Sequence, residues 1–206
     1  LLSDTLGLSM LVDSINHRSV EGATETTVLG PFYVPPLKEL PADSDIAGGS
    51  EGTPLQVSAR VVSPDGAPIA GAWVDVWQAD DDGYYDVQKP GQEENLRARF
   101  RTDADGRISF RSIVPTSYPI PHDGPVGKML EAVGRHPYRP AHIHFMIGKE
   151  GYETLVTHLF IEDDPYLHSD AVFGVKDQLI VHLTDGSADT KQLTHTFGLR
   201  PSLPTA

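Results

Sequence analysis

The chain of 206 residues contains no cysteine. That absence rules out disulfide frameworks, thiolate zinc sites and iron–sulfur clusters together. Any metal bound here must be held by His, Tyr, Asp or Glu. Basic residues are scarce: 16 Lys and Arg stand against 29 Asp and Glu, for a net charge of −13. A chain so acidic is not expected to take nucleic acid as a partner, because a phosphate backbone needs cations. No run of about 20 apolar residues is present, so membrane insertion is not expected. No signal-peptide pattern is visible either, which makes a soluble cytoplasmic protein the default expectation. Position 1 is Leu rather than Met, and the opening LLSDTLGLSMLVDSIN is already in helical rhythm. Earlier residues of a helical region are therefore expected to precede it.

Glycine and proline, by contrast, are plentiful, at 19 and 17. They punctuate short segments of alternating hydrophobicity. Residues 1–16 place Leu1, Leu8, Leu11, Val12 and Ile15 near one helical face. From Pro54 the period changes to two. LQVSARVVS, AWVDVWQA, LRARFRT, RISFRSI, AHIHFMIG, TLVTHLFI and DQLIVHLT read as strands, with PDG as a turn and DADG as a hairpin turn. Many short strands with such punctuation predict a mainly β chain, a β-sandwich or barrel. The division expected is 1–35 as the end of an N-terminal helical and linker region, and 36–206 as the β domain. Between Val114 and Pro140 lies a long Pro-rich excursion with a helical piece near GKMLEAVG. Excursions of this length in a compact β domain are more often functional than idle.

The stretch RPAHIHF, 139–145, carries the first chemical signal. Side chains at i and i+2 of a strand share a face, so His142 and His144 stand side by side with Ile143 opposite. Two imidazoles so placed can grip a metal, or can be a packed, hydrogen-bonded pair. Arg139 precedes them by three residues. Tyr118 sits between prolines in VPTSYPIP, and Tyr84 and Tyr85 follow a turn in DDDGYYDVQ; a tyrosine in such a place can equally plug a core edge.

Taken together, WQADDDGYY, PTSYPIP, RPAHIHF and GATETTVLGPFYV resemble the intradiol ring-cleaving dioxygenases, in the branch of the catechol and hydroxyquinol 1,2-dioxygenases. The resemblance runs over essentially the whole chain. It implies a β-sandwich catalytic domain with a short N-terminal helical segment. It also implies an Fe(III) centre with Tyr85, Tyr118, His142 and His144 as ligands, Tyr84 being left to packing. A hard trivalent ion suits two phenolates: it would lower a phenol pKa from its usual value of about 10, and softer or divalent ions have less use for them.

The implied reaction is oxygen-dependent cleavage of a small aromatic diol between its two hydroxyl-bearing carbons, a step of aromatic hydrocarbon catabolism. The diol binds as a dianion and displaces Tyr118, which takes up a proton, while Arg139 stabilises developing negative charge. His158 is implied to orient Arg139 or a ligand; it can equally be a satisfied core histidine. Residues matching the family's substrate pocket are Leu1, Asp4, Val28, Leu29, Gly30, Phe32, Pro119, Ile120, Pro121 and Arg139. Asp4 could accept a hydrogen bond from the third hydroxyl of 1,2,4-trihydroxybenzene, or could serve only the helix dipole. The N-terminal stretches resemble hydroxyquinol enzymes more than catechol or chlorocatechol ones, so the implied product is 3-hydroxy-cis,cis-muconate, a tautomer of maleylacetate. A homodimer built through N-terminal helices is implied for the full-length protein.

Two rivals stand beside this. A cupin also builds H-x-H metal sites on a barrel, and Glu150 with His158 could complete its ligand set. PDGAPIAGAWVDVWQAD followed by TDADGRISF resembles the prealbumin-like sandwich modules, which bind without catalysis. Neither rival explains Tyr85 and Tyr118 beside the histidine pair.

Overall fold

The computed structural model describes residues 1–91 and 94–202. In chain order the strands are β1 (Ser44–Asp45), β2 (Pro54–Val62), β3 (Trp73–Gln78), β4 (Arg97–Arg101), β5 (Arg107–Ile113) and β6 (Tyr118–Pro119). They continue with β7 (Tyr138–Arg139), β8 (His142–Gly148), β9 (Leu155–Ile161), β10 (Ile180–Val181), β11 (Thr184–Asp185) and β12 (Lys191–Gly198). The helices are α1 (Leu2–Thr5), α2 (Leu8–Asn16) and α3 (Pro125–Ala132). One sheet has the order β1-β5-β2-β12-β11 and the other β10-β9-β8-β3-β4; β6 and β7 form a separate ribbon.

The two large sheets face each other across one apolar core. Val57, Val61, Phe110 and Phe197 from the first sheet meet Val74, Val76, Phe145 and Ile147 from the second. Alternation along β8 turns Ile143, Phe145 and Ile147 into this core and His142, His144 and Met146 away from it. Yet the outward face is buried too. A second apolar cluster of Trp77, Ala79, Tyr85 and Tyr118 sits there, with Phe32, Tyr33 and Met146 against it. The functional residues thus lie on the outer face of the second sheet, roofed by the long connections, not inside the sandwich.

Three expectations change, and one further strand forms. DADG does form a tight turn, with the Asp103 side chain accepting the N–H groups of Asp105 and Arg107. But β4 and β5 belong to different sheets, so the turn carries the chain from one layer to the other instead of closing a hairpin. KQLTHTFG, whose polar Thr194 and Thr196 hide its period, is the long strand β12, pairing in parallel with β2 over its whole length. DQLIVHLT is mostly irregular: a short 3-10 turn at Asp177–Leu179 leads to the two residues of β10. The N-terminal helix is split by Gly7, whose φ of 75° is one that glycine adopts without a steric penalty. Its apolar stripe does not face the core. Leu8, Leu11 and Ile15 are 53%, 57% and 59% exposed, while Thr5 and Met10 are the residues turned inward. The helix is anchored from its polar side, where Asp13 bonds the Thr26 hydroxyl at 2.9 Å and the Lys176 ammonium at 3.2 Å. Among the described residues, no helix is long and apolar enough to cross a membrane.

Candidate metal centre and substrate cleft

The four side chains singled out at residues 85, 118, 142 and 144 come together. Tyr85 Oη is the hub: it lies 2.9 Å from His144 Nε2, 3.3 Å from His142 Nε2 and 3.2 Å from Tyr118 Oη. The two imidazole Nε2 atoms are 3.1 Å apart. Strand alternation on β8 delivers the histidines. The G-x-Y turn delivers Tyr85: Gly83 has φ 84°, and a Cβ there would come within 2.9 Å of the Tyr118 Cβ. The ribbon delivers Tyr118, which pairs directly opposite Arg139. Tyr84, expected to pack, is half exposed and lies beneath Lys89 at the surface.

Each donor is held by its neighbours. His142 Nδ1 lies 2.6 Å from the Pro140 carbonyl, which can only accept, so Nδ1 carries the proton and Nε2 presents its lone pair. His144 is fixed by packing instead. Trp77 stacks on its ring at 4.6 Å, and Gly30 approaches so closely that a Cβ would stand 3.2 Å from its Cε1. Phe32 stacks on Tyr85 at 4.4 Å. The loop behind Tyr85 is braced by a buried ion pair between Asp86 and Arg97, whose Nη2 also donates to the Phe32 carbonyl at 3.1 Å. His158 pairs across from His144 on β9, its ring 4.1 Å away, and its Nδ1 contacts the Thr27 hydroxyl. His158 therefore braces a candidate ligand. Arg139 is held by Asp170 instead, in a buried pair. Glu150 is exposed in the turn after β8 and is not grouped with His142, His144 and His158, which removes the cupin ligand set.

The electrostatics suit a cation. Burial, and then the neighbouring Tyr118, hold the Tyr85 phenol well above its ordinary range. A multiply charged metal ion among these oxygens would reverse that preference. Burial pushes His142 down to about 3, with the Arg139 charge adding to it. Burial likewise holds His144 and His158 well below the ordinary range. The imidazoles are thus neutral lone-pair donors, and the set of two phenols and two neutral imidazoles fits a hard, highly charged ion. Three histidines, 142, 144 and 158, also lie close enough to share an ion. That grouping leaves out Tyr85, whose phenol approaches the Nε2 atoms about as closely as the imidazoles approach each other, and Tyr118, whose phenol touches that of Tyr85.

These directions predict an acid response. A histidine depressed in the fold binds protons more tightly when unfolded, so stability rises with pH between the folded and unfolded pKa values. For His142 the window runs from about 3 up to the ordinary 6.5. Each such group contributes a slope of up to about 1.4 kcal/mol per pH unit. Urea midpoints of the metal-free protein should fall steadily as the pH drops from about 7 to about 4, and His158→Gln should flatten that fall. Midpoints insensitive to pH would contradict neutral buried imidazoles.

A cleft of about 630 Å³ opens over the donors. Of the expected pocket residues, Leu1, Asp4, Val28, Leu29, Gly30, Phe32, Ile120, Pro121 and Arg139 line it. Pro119 does not: between buried Tyr118 and buried Ile120 it faces solvent, as alternation along an extended segment requires. Tyr118 is the one candidate ligand among the lining residues; Tyr85, His142 and His144 lie behind it. Sequence reasoning missed Asp170, Thr27 and Val172. Thr27 ends the polar stretch NHRSVEGATETT, which has no clear period, and the other two fall in an irregular loop with no period to expose them.

Comparison with known proteins identifies the class of protein that this sandwich belongs to. The family described as Dioxygenase matches residues 28–201, and the chain belongs to it. It is 56% identical to a hydroxyquinol 1,2-dioxygenase of Rhizobium sp. (strain MTP-10005), over 87% of this chain and 62% of that protein. The chain thus spans less than two thirds of that relative's length. It is 53% identical to a 6-chlorohydroxyquinol 1,2-dioxygenase of Cupriavidus pinatubonensis, over 98% of this chain and 74% of the relative. Among solved structures, hydroxyquinol 1,2-dioxygenase from Pseudomonas putida DLL-E4 superposes with a TM-score of 0.93 at 48% identity, covering 98% of this chain and 74% of the other.

Proposed function

We propose that this chain carries the active site of an intradiol dioxygenase that cleaves hydroxyquinol with O2 to 3-hydroxy-cis,cis-muconate. The observation that carries the reading is the meeting of Tyr85, Tyr118, His142 and His144 beneath a cleft whose wall is Tyr118 and Arg139. Those four side chains would hold Fe(III), which would bind the two oxygens of the deprotonated diol and make its ring electron-rich enough to meet O2.

The chain's own groups do the rest. Tyr118, facing the cleft, is the ligand an entering diol reaches first, and its phenolate oxygen is placed to take one of the diol's protons. Tyr85, His142 and His144, walled off by packing, stay in place. Arg139, buried and paired, offers a fixed positive charge beside the reacting oxygens without any reorganisation. Val28, Leu29, Ile120 and Pro121 give the cleft an apolar wall that orients a flat ring and excludes water.

Asp4 is the polar group on the helical side of the cleft. Burial works against its charge, but a hydrogen bond from Ser9 and the charge of Arg139 help keep it below the usual carboxylate range. It is thus an ionised acceptor for the third hydroxyl of hydroxyquinol. A hydrogen bond to a charged group contributes about 1.5–3 kcal/mol, or roughly 10- to 150-fold. Asp4→Ala should lower kcat/KM for hydroxyquinol by that factor and change catechol turnover little. Equal losses on both diols would remove Asp4 from substrate selection, and a wild-type preference for catechol or chlorocatechol would move the substrate to that branch.

The exposed stripe of Leu8, Leu11 and Ile15 supports a homodimer for the full-length protein, built through this helical region. A cytoplasmic location accords with the acidic composition of the chain.

The test is the visible absorption spectrum of the iron-loaded protein, before and after anaerobic addition of hydroxyquinol. A broad phenolate-to-iron band that shifts on addition is the expected result. A protein that shows no band after iron loading would overturn the reading and leave a sandwich module without a metal.

A further inference from the structure

Asp170 is a buried carboxylate on the loop after β9, and it faces Arg139. Its Oδ1 accepts from Arg139 Nε at 3.2 Å and its Oδ2 from Nη2 at 3.3 Å. A two-point contact of this kind fixes the plane of the guanidinium as well as its position. The remaining nitrogen, Nη1, is thereby aimed at His142, 3.3 Å from Nε2. The same two oxygens also accept backbone N–H groups, Oδ1 from Val172 at 3.2 Å and Oδ2 from Gly174 at 2.9 Å. Val172 lines the cleft. One carboxylate therefore joins the charged group beside the donors to the wall of the substrate cavity. The absence of a side chain at Gly174 makes room for the pair: a Cβ there would lie 3.0 Å from Asp170 Oδ2 and 3.1 Å from Arg139 Nη2.

We propose that Asp170 is a positioning residue of the ring-cleavage site, one that sets the Arg139 guanidinium beside the metal donors and folds Val172 into the cleft wall. This rests on the ring-cleavage reading. A buried guanidinium with no fixed partner would turn toward whichever oxygen is nearest, including the Tyr118 phenol opposite it. The Asp170 contact removes that freedom before substrate arrives. It leaves the charge directed at the diol oxygens, where binding and catalysis both use it.

Two variants separate position from charge. Asp170→Asn keeps the size and one acceptor oxygen but removes the charge. Gly174→Ala keeps both charges and crowds the pair. Iron content and the resting visible band are measured for each, then the diol dissociation constant by anaerobic titration with hydroxyquinol, then kcat/KM. The same Asp170 change is made in an Arg139→Lys background. The expected result is an unchanged iron content and resting band, with diol affinity weakened about 10- to 100-fold in both variants. Asp170→Asn should add little once Arg139 is already replaced. Wild-type diol affinity in Asp170→Asn would overturn the proposal, as would a loss of the same size whether or not Arg139 is present. Should Asp170→Asn not fold, wild-type affinity in Gly174→Ala overturns it. If the wild-type chain itself gives no iron band and no diol response, the ring-cleavage reading fails first and the positioning role falls with it.

Discussion

Tyr85→Phe is expected to empty the centre of iron, whereas Tyr118→Phe is expected to keep the iron and lose the chemistry. The two tyrosines offer the same atom 3.2 Å apart, yet their surroundings differ. Tyr85 Oη touches all three other donors, and its ring is fully buried beneath Phe32. Removing its oxygen takes away the hub. Disturbing a neighbour of a metal ligand costs about 10- to 100-fold in metal affinity, and deleting a direct donor costs more. Tyr118 lies at the edge of the set and lines the cleft. Its loss leaves one phenolate and two imidazoles to hold the ion but removes the base that an entering diol meets. General-base contributions run to about 10²- to 10⁴-fold, so kcat/KM should fall by that amount with the iron content near wild type. Metal analysis and the visible spectrum check both. Iron retained by Tyr85→Phe and lost from Tyr118→Phe would reverse the assignment of permanent and displaceable ligand.

The residues of this candidate centre were legible in the sequence for reasons that differ from group to group. His142 and His144 were legible because a period of two leaves no doubt which face they share, and the pairing of β8 with β3 and β9 keeps that period unbroken. Tyr85 follows a turn and Tyr118 sits on a strand of two residues, too little for periodicity to act on, and only their motifs marked them. The side of the sheet was not legible. Both faces of β8 are buried, so alternation separates the histidines from the core residues without saying which set points between the layers. Asp170 left no signal at all. Its value comes from meeting Arg139 across 31 positions of sequence, through a loop whose own residues follow no period. The stripe on α2 shows a further limit: helical spacing shows that a face exists, but not what covers it.

On the proposed ring-cleavage function, Arg139→Lys should fold, keep its iron and cleave hydroxyquinol roughly 10²- to 10³-fold more slowly, the range expected when one preorganised charge-stabilising donor is lost. Lysine preserves the charge, so any loss must come from shape. A guanidinium reaches Asp170 with two nitrogens and His142 with the third, whereas an ammonium is a single point on a flexible stem. Arg139→Met should behave differently. It strands Asp170 as a buried carboxylate with no cation, and breaking a buried pair in this way costs about 3–5 kcal/mol. In the fold, burial alone would raise the Asp170 carboxyl, and the Arg139 charge outweighs it and holds the group below its usual range. Without that charge, Asp170 should bind a proton well above pH 3.8, and the variant should be least stable, relative to wild type, at neutral and alkaline pH. The sign follows from linkage: the wild-type carboxylate adds stability above its unfolded pKa and loses it on acidification, so removing its partner costs most where the group would be ionised. Urea midpoints of the two variants at about pH 5 and pH 8 separate the effects. Equal stability of Arg139→Met and wild type at pH 8, with activity lost in both variants, would mean that the pair serves catalysis alone. Full activity in Arg139→Lys would mean that the site needs a positive charge there but not its fixed orientation.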